Sequence, residues 1–186
     1  MKLDGFDFKN DILLLDSNAF MTESFRNFLK NELVLAIADY RQSTGSDFCV
    51  CIPETVKEEL EKIKVREGSE ALHQRTDAIK GFNTMETLVT KGFAKIVKSD
   101  FTGVVNGFND VAVLTMMMEL RRHSHVSVIT NDRDFATDLL NLNLLKSVKT
   151  KKKVRVFYVN AKRPALSAWR LHDKLREAER FPNEIG

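Results

Sequence analysis

The feature that most constrains the fold of this 186-residue chain is its alternation of short apolar runs with helical segments. The first run, Ile12 to Leu15, is uninterrupted and ends at Asp16, a pattern typical of a strand buried on both faces of a parallel sheet. The alternation predicts an α/β fold of three α/β/α layers around a mostly parallel sheet of about five strands. The other predicted strands are 48–52, 94–97, 126–129 and 154–159.

Helical periodicity fills the intervals between these strands. Pro53 suits the start of a helix because its missing N–H needs no partner there. Gly81 marks a candidate break within a long helical stretch. The predicted helices cover about 19–42, 53–65, 69–91, 109–120, 134–145 and 165–180.

Composition indicates a single globular domain over residues 1–186, with 43% apolar and 30% charged residues and a basic strand and helix from about residue 146. We expect a cytoplasmic protein that does not enter membranes, because no apolar run approaches ~20 residues and no signal-peptide core is visible. Cys49 and Cys51 stand too close on one strand for a normal disulfide, and no Cys or His spacing is typical of zinc.

The net charge of +3 conceals an asymmetry along the chain. From residue 141 onward, twelve Lys or Arg stand against four acids, which leaves −5 for residues 1–140. This split favours an acidic, metal-holding body with a basic flank that faces a polyanion, although an ordinary solvated tail explains the charge equally well.

Carboxylates stand where the predicted strands end or where helices begin. Asp16 leaves a doubly buried strand, although Asp is also a common turn or cap residue. Glu59 lies on the apolar stripe of its helix, where a charge is costly unless it snorkels outward. Asp110 opens a largely apolar helix, and of Asp132 and Asp134 one suffices as a helix cap.

In a parallel sheet these acids would meet in one crevice beyond the carboxyl ends of the strands. Carboxylates so close together raise one another's pKa unless a cation is present. Oxygen ligands without His or Cys select Mg²⁺ or Mn²⁺.

Four motifs then occur in a recognisable order: DSNAF (16–20), IPETVKEEL (52–60), NDVAVL (109–114) and TNDRDF (130–135). In this order and form they resemble the PIN-domain nucleases, and the second and fourth are similar to those of PIN ribonucleases that act in ribosomal RNA processing. The sequence departs from compact members in its longer stretch 66–108 and in its basic C-terminal extension.

The resemblance implies a PIN-like fold and a metal-dependent endoribonuclease that hydrolyses phosphodiester bonds with one or two Mg²⁺ or Mn²⁺ ions. It implies that Asp16, Glu59, Asp110 and Asp132 are catalytic metal ligands, with Asp134 as a further acid at the metal. The implied supporting residues are Ser17, Asn18, Thr130 and Asn131.

The basic flank is the expected binding surface for RNA, with single-stranded DNA as an open alternative. Phe157, Tyr158 and Trp169 are candidates for stacking on unpaired bases, but core packing is the more common use of such residues. The expected nucleic-acid-binding residues are Lys149, Lys151, Lys152, Lys153, Arg155, Lys162, Arg163 and Arg170.

Two other functions stay open at this point. The chain could be the toxin ribonuclease of a toxin–antitoxin pair, with a small antitoxin protein as partner. It could instead be a noncatalytic PIN scaffold that binds nucleic acid or protein. A homodimeric partner is a further open alternative.

Overall fold

A computed structural model describes residues 6–68, 71–98, 109–145, 150–160 and 165–169, without the side chains of residues 109–112. Its centre is a six-stranded sheet, one strand more than the sequence predicts. The strands are β1 Asp11–Leu15, β2 Val50–Pro53, β3 Ala94–Val97, β4 His125–Ile129, β5 Val154–Val159 and β6 Leu166–Ala168.

The sheet has the strand order β3-β2-β1-β4-β5-β6, and all neighbours are parallel except the antiparallel pair β5 and β6. The mostly parallel α/β sheet that the sequence predicts is therefore confirmed. β1 lies near the middle, with Leu14 opposite Val128 and Leu15 opposite Ile129 of β4. Because β1, β2, β4 and β5 run the same way, their carboxyl ends share one edge of the sheet.

Helices connect the strands close to the predicted positions. The predicted helix 19–42 is interrupted at Thr22, whose backbone is extended, and contains a π-helical turn at Leu29–Leu33. The helices are α1 Asn18–Met21, α2 Glu23–Phe28, α3 Val34–Thr44, α4 Glu54–Lys64, α5 Leu72–Thr90, α6 Asn109–His123 and α7 Arg133–Asn141.

Two hydrophobic clusters lie on opposite faces of the sheet. Leu13 and Leu15 of β1 join the cluster that contains residues of α1 to α5, whereas Leu14 joins the cluster that contains residues of α6 and α7. Successive strand residues point to opposite faces, so a strand covered on both sides must be apolar throughout. The uninterrupted run in β1 thus follows directly from the layered architecture.

Two expectations for local structure are wrong. The candidate break at Gly81 is absent, because α5 continues from Leu72 to Thr90. The predicted helix from residue 165 is instead strand β6 at its start, where Leu166 pairs with Val159. Leu166 is buried, Ser167 half-buried and Ala168 exposed. A strand of three residues is too short to show a clear pattern of its own, so the sequence of 165–180 favours a helix. Residues 170–186 lie outside the described part of the chain.

Gly81 is explained by close packing rather than by a bend. A Cβ at this position would lie 2.6 Å from the carbonyl oxygen of Phe20, at the end of α1. The absence of a side chain therefore lets α5 approach the backbone of α1, which follows Asp16 in the chain.

Among the helices in the described ranges, none combines the length and apolarity that crossing a membrane requires.

We predict that Gly81→Ala lowers the free energy of unfolding by about 1–2 kcal/mol in total, because the added methyl group meets backbone that must shift, at a cost of about 2–3 kcal/mol. This loss exceeds the gain of about 1 kcal/mol in helix propensity. Denaturant unfolding would measure the change. Lys80→Ala, at an exposed position of the same helix, is the control and should stay within about 0.5 kcal/mol of wild type. A stabilised Gly81→Ala variant would contradict the packing argument.

Candidate functional site

The candidate site lies at the carboxyl edge of the sheet, which we define by the strand ends Leu15, Pro53, Ile129 and Val159. Asp16 follows Leu15 directly, and its N–H donates to the carbonyl of Ile129 at 3.2 Å. The last residue of β4 therefore holds the backbone at Asp16. The chain therefore exits β1 and β4 at neighbouring points of the carboxyl edge.

Thr130 links the two exits. Its hydroxyl donates to Oδ2 of Asp16 at 2.7 Å and accepts the N–H of Asp132 at 3.0 Å. Thr130 is fully buried, and its own N–H donates to the carbonyl of Phe157 at 2.9 Å. One side chain thus orients the Asp16 carboxylate and the turn that carries Asp132.

Asp132 is the N-cap of α7. Its Oδ1 accepts the N–H groups of Asp134 and Phe135, each at 2.9 Å, which satisfies two amides that the helix cannot pair internally. Both of these hydrogen bonds go to the same oxygen. The capping alternative is therefore correct for Asp132, and it holds the carboxylate in place at an exposed position of the edge.

Three of the predicted acids, Asp16, Glu59 and Asp132, interact electrostatically. Burial raises the pKa of Asp16 from 3.8 to about 6, hydrogen bonds from Thr130 and from the Ser17 backbone lower it, and the charges of Glu59 and Asp132 raise it. Asp16 is half-buried as a residue, although its carboxyl group is largely desolvated. Glu59 and Asp132 are thus near enough to oppose its ionisation.

Glu59 reaches this group from α4. Val56 and Leu60 are buried, Glu59 is half-buried and Glu58 is exposed, so Glu59 borders the packed face of the helix as its periodicity predicts. Lys57 pairs with Glu61 at 4.0 Å, one turn further along the same helix. Lys57 and Glu61 thus form a local pair, whereas the charge of Glu59 acts on Asp16 at the carboxyl edge.

The remaining predicted site residues differ in position. Ser17 is buried with its hydroxyl 3.5 Å from Oδ1 of Asp16, and Asn18 is half-buried at the start of α1. Asn131 is exposed, and its amide oxygen accepts the N–H of Val159 at 3.3 Å. Asp134 is exposed in the first turn of α7. The Asp110 side chain lies outside the described residues, although α6 begins at Asn109.

The donor chemistry of this group fits a hard cation. Asp16 has a raised pKa, two further carboxylates lie near enough to contribute to it, and the Ser17 hydroxyl lies 3.5 Å from Oδ1 of Asp16. Oxygen ligands of this kind suit Mg²⁺ or Mn²⁺. Within the ranges that the structure describes, no three Asp, Glu, His or Cys side chains form a compact metal-binding cluster. Glu59 and Asp132 therefore lie within electrostatic range of Asp16 without forming such a cluster with it.

Four of the eight predicted nucleic-acid-binding residues are described, and these four do not gather at the carboxyl edge. Lys151, Lys152 and Lys153 precede β5, so they lie at the amino edge of the sheet, about 17 Å away along a strand of this length. Arg155 is half-buried and paired with Asp11 at 2.9 Å. A nucleic acid bound to these lysines would therefore have no direct path to the carboxylates. Lys149, Lys162, Arg163 and Arg170 lie outside the described residues.

The three candidate aromatic residues fall into two groups. Phe157 is buried in the cluster of α1 to α5, as core packing predicts. Tyr158 and Trp169 are half-buried, and their ring centroids lie 4.9 Å apart with the planes tilted by 50°.

Arg26 is a buried residue that the sequence argument misses. It donates to the carbonyls of Phe20 and Met21 at 2.9 and 2.7 Å and pairs with Asp77 of α5 at 3.0 Å. These hydrogen bonds satisfy carbonyl groups at the end of α1, the helix that follows Asp16, and the ion pair links this region to α5. An Arg among the apolar residues of a helix pattern is the only sequence signal, and such residues usually point to solvent.

Comparison with known proteins adds no assignment, because no family model and no curated protein sequence matches the chain.

We predict that Thr130→Val raises the pKa of Asp16 above its value of about 6, because the hydroxyl that stabilises the carboxylate is lost. A carboxyl NMR titration of the metal-free protein would measure it. Thr130→Ser keeps the donor and should leave the pKa near 6. An unchanged pKa in the valine variant would show that the hydrogen bond contributes nothing to the ionisation of Asp16.

We predict that Asp16→Asn raises the unfolding free energy at pH 7.5 in EDTA but has little effect at pH 4. The pKa of Asp16 is about 6 in the folded protein against 3.8 for an unperturbed Asp, so folding favours the protonated carboxyl group. The stability that protonated Asp16 contributes is therefore present at low pH and is lost as pH rises through 6. Denaturant unfolding at both pH values tests the prediction. An equal loss of stability at both would contradict it.

Proposed function

We propose that the protein is a divalent-metal-dependent nuclease of the PIN type, an endoribonuclease that hydrolyses phosphodiester bonds in single-stranded or loop RNA. The observation that supports this proposal most strongly is the raised pKa of Asp16, to which the charges of Glu59 and Asp132 both contribute. These acids come from three distant parts of the chain. They are the residues that the four-motif resemblance assigns to metal binding.

Ionisation of Asp16 is costly in this arrangement. A carboxylate that is desolvated and faces two more carboxylates is disfavoured when ionised. Natural proteins tolerate such sites chiefly where a function requires them, and perturbed carboxyl groups concentrate there. A bound Mg²⁺ or Mn²⁺ would offset the repulsion, and Asp16, Glu59 and Asp132 would hold it, together with Asp110 by resemblance.

When bound, the metal would supply Lewis acidity toward the scissile phosphate and lower the pKa of an attacking water. The protein's own residues orient the site. Thr130 holds one oxygen of Asp16 and leaves the other facing Ser17 at long range. The Asp134 and Phe135 amides fix one oxygen of Asp132. Such fixed ligands reduce the reorganisation that the reaction would otherwise require.

We predict that RNA cleavage requires Mg²⁺ or Mn²⁺, stops in EDTA, and falls by about 100-fold or more in Asp16→Asn and Asp132→Asn. Asn is as good a helix cap as Asp, so Asp132→Asn removes the charge and keeps α7 intact. The measurement is single-turnover cleavage of a panel of structured RNAs and single-stranded DNAs.

A matched pair on α4 provides the control. Glu59→Gln should reduce cleavage strongly, whereas Glu58→Gln, its exposed neighbour, should leave it unchanged. Full activity of Asp16→Asn would refute the proposal. RNA binding that resists EDTA, with no cleavage of any substrate, would favour the noncatalytic scaffold instead.

A further inference from the structure

The aromatic pair Tyr158 and Trp169 lies beside the candidate site. Tyr158 is the penultimate residue of β5, near the carboxyl edge. Trp169 follows β6, and its backbone N–H donates to the carbonyl of Val156 at 2.9 Å. The antiparallel return of β6 therefore places the indole next to Tyr158.

Trp169 also contacts the turn that orients Asp16. Its indole N–H donates to the carbonyl of Thr130 at 3.3 Å, and the hydroxyl of Thr130 donates to Asp16 at 2.7 Å. Only one residue and two hydrogen bonds separate the indole from the carboxylate. A nucleotide next to a phosphate at Asp16 is therefore within reach of the aromatic pair.

The two rings are not simple core residues. Phe157, between Val156 and Tyr158, is 1% exposed, whereas Tyr158 and Trp169 both keep partly exposed surface. Trp169 packs on one side against the cluster of α6 and α7. Its N–H is already satisfied, so the ring is held in one orientation. A fixed, partly open aromatic surface is the kind on which unpaired bases stack.

We propose that Tyr158 and Trp169 form a stacking subsite for an unpaired base next to the scissile phosphate. This inference rests on the proposed nuclease function. The subsite would favour single-stranded segments, because a paired base cannot expose its face to the rings. Stacking tolerates any base, so the subsite selects for strandedness rather than for sequence.

The test uses Trp169 as its own reporter, since it is the single Trp of the chain. The full-length Asp16→Asn variant in EDTA is titrated with a short oligouridylate while Trp fluorescence and the anisotropy of a labelled oligonucleotide are followed. Stacking predicts quenching that saturates together with binding. Inorganic polyphosphate, which has charge but no bases, should compete for binding without the same quenching.

Three results would overturn the inference: binding without any fluorescence change, equal quenching by polyphosphate, or no RNA binding at all. Quenching by the oligonucleotide without metal-dependent cleavage by the wild-type protein would instead support the subsite and refute the nuclease. The two proposals can therefore fail separately.

Substitutions provide a second readout. Trp169→Ala should weaken oligonucleotide binding by about 5- to 100-fold, whereas Trp169→Phe keeps a stacking ring and should retain most of the affinity. Phe also removes the indole donor to Thr130, so equal losses in both variants would indicate that Trp169 acts only by holding that turn. Circular dichroism checks that each variant is folded.

Discussion

The parallel pairing of β1 with β4 is the interaction on which the candidate site depends. Leu15 lies opposite Ile129, so the residues that follow them, Asp16 and Thr130, lie side by side at one edge of the sheet. A shift of the register by one residue would move every side chain of a strand to the other face. It would also separate the Thr130 hydroxyl from Asp16, and with it the turn that carries Asp132.

This register is strongly specified by the apolar residues around it. Leu14 and Leu15 pack into different clusters on the two faces of the sheet, so both faces are apolar at the carboxyl end of β1. The core thus determines where the carboxylate emerges. Asp16 is half-buried and is the first residue after the buried apolar run of β1.

The same packing disfavours the ionised form of Asp16. Burial and two neighbouring acids raise the pKa of Asp16, and the Thr130 hydroxyl and Ser17 amide compensate only in part. At the amino edge, by contrast, Asp11 is buried but paired with Arg155 and with the Ser127 hydroxyl at 3.1 Å. The two ends of β1 therefore carry carboxylates in different situations: Asp11 is paired with a cationic side chain of the protein, whereas Asp16 is desolvated and lies near two further acids.

Much of this arrangement follows from the sequence, because uninterrupted apolar runs ending in acids predict both the parallel sheet and the edge where Asp16 and Asp132 lie. The stripe of α4 likewise distinguishes Glu59 from Glu58. Local patterns do not predict β6, because a three-residue strand has too few residues to show a period of two, and its pairing with Val159 comes from tertiary contact. Local patterns also predict a break at Gly81, whereas the glycine is explained by its close approach to the carbonyl of Phe20 in α1. The sequence by itself determined which residues are buried and which acids follow them, since hydrophobic periodicity is a local property. Only the tertiary structure decided that Thr130 orients Asp16, that Trp169 reaches the same turn, and that the lysines before β5 face the opposite edge, because these depend on strand direction and on contacts between distant parts of the chain.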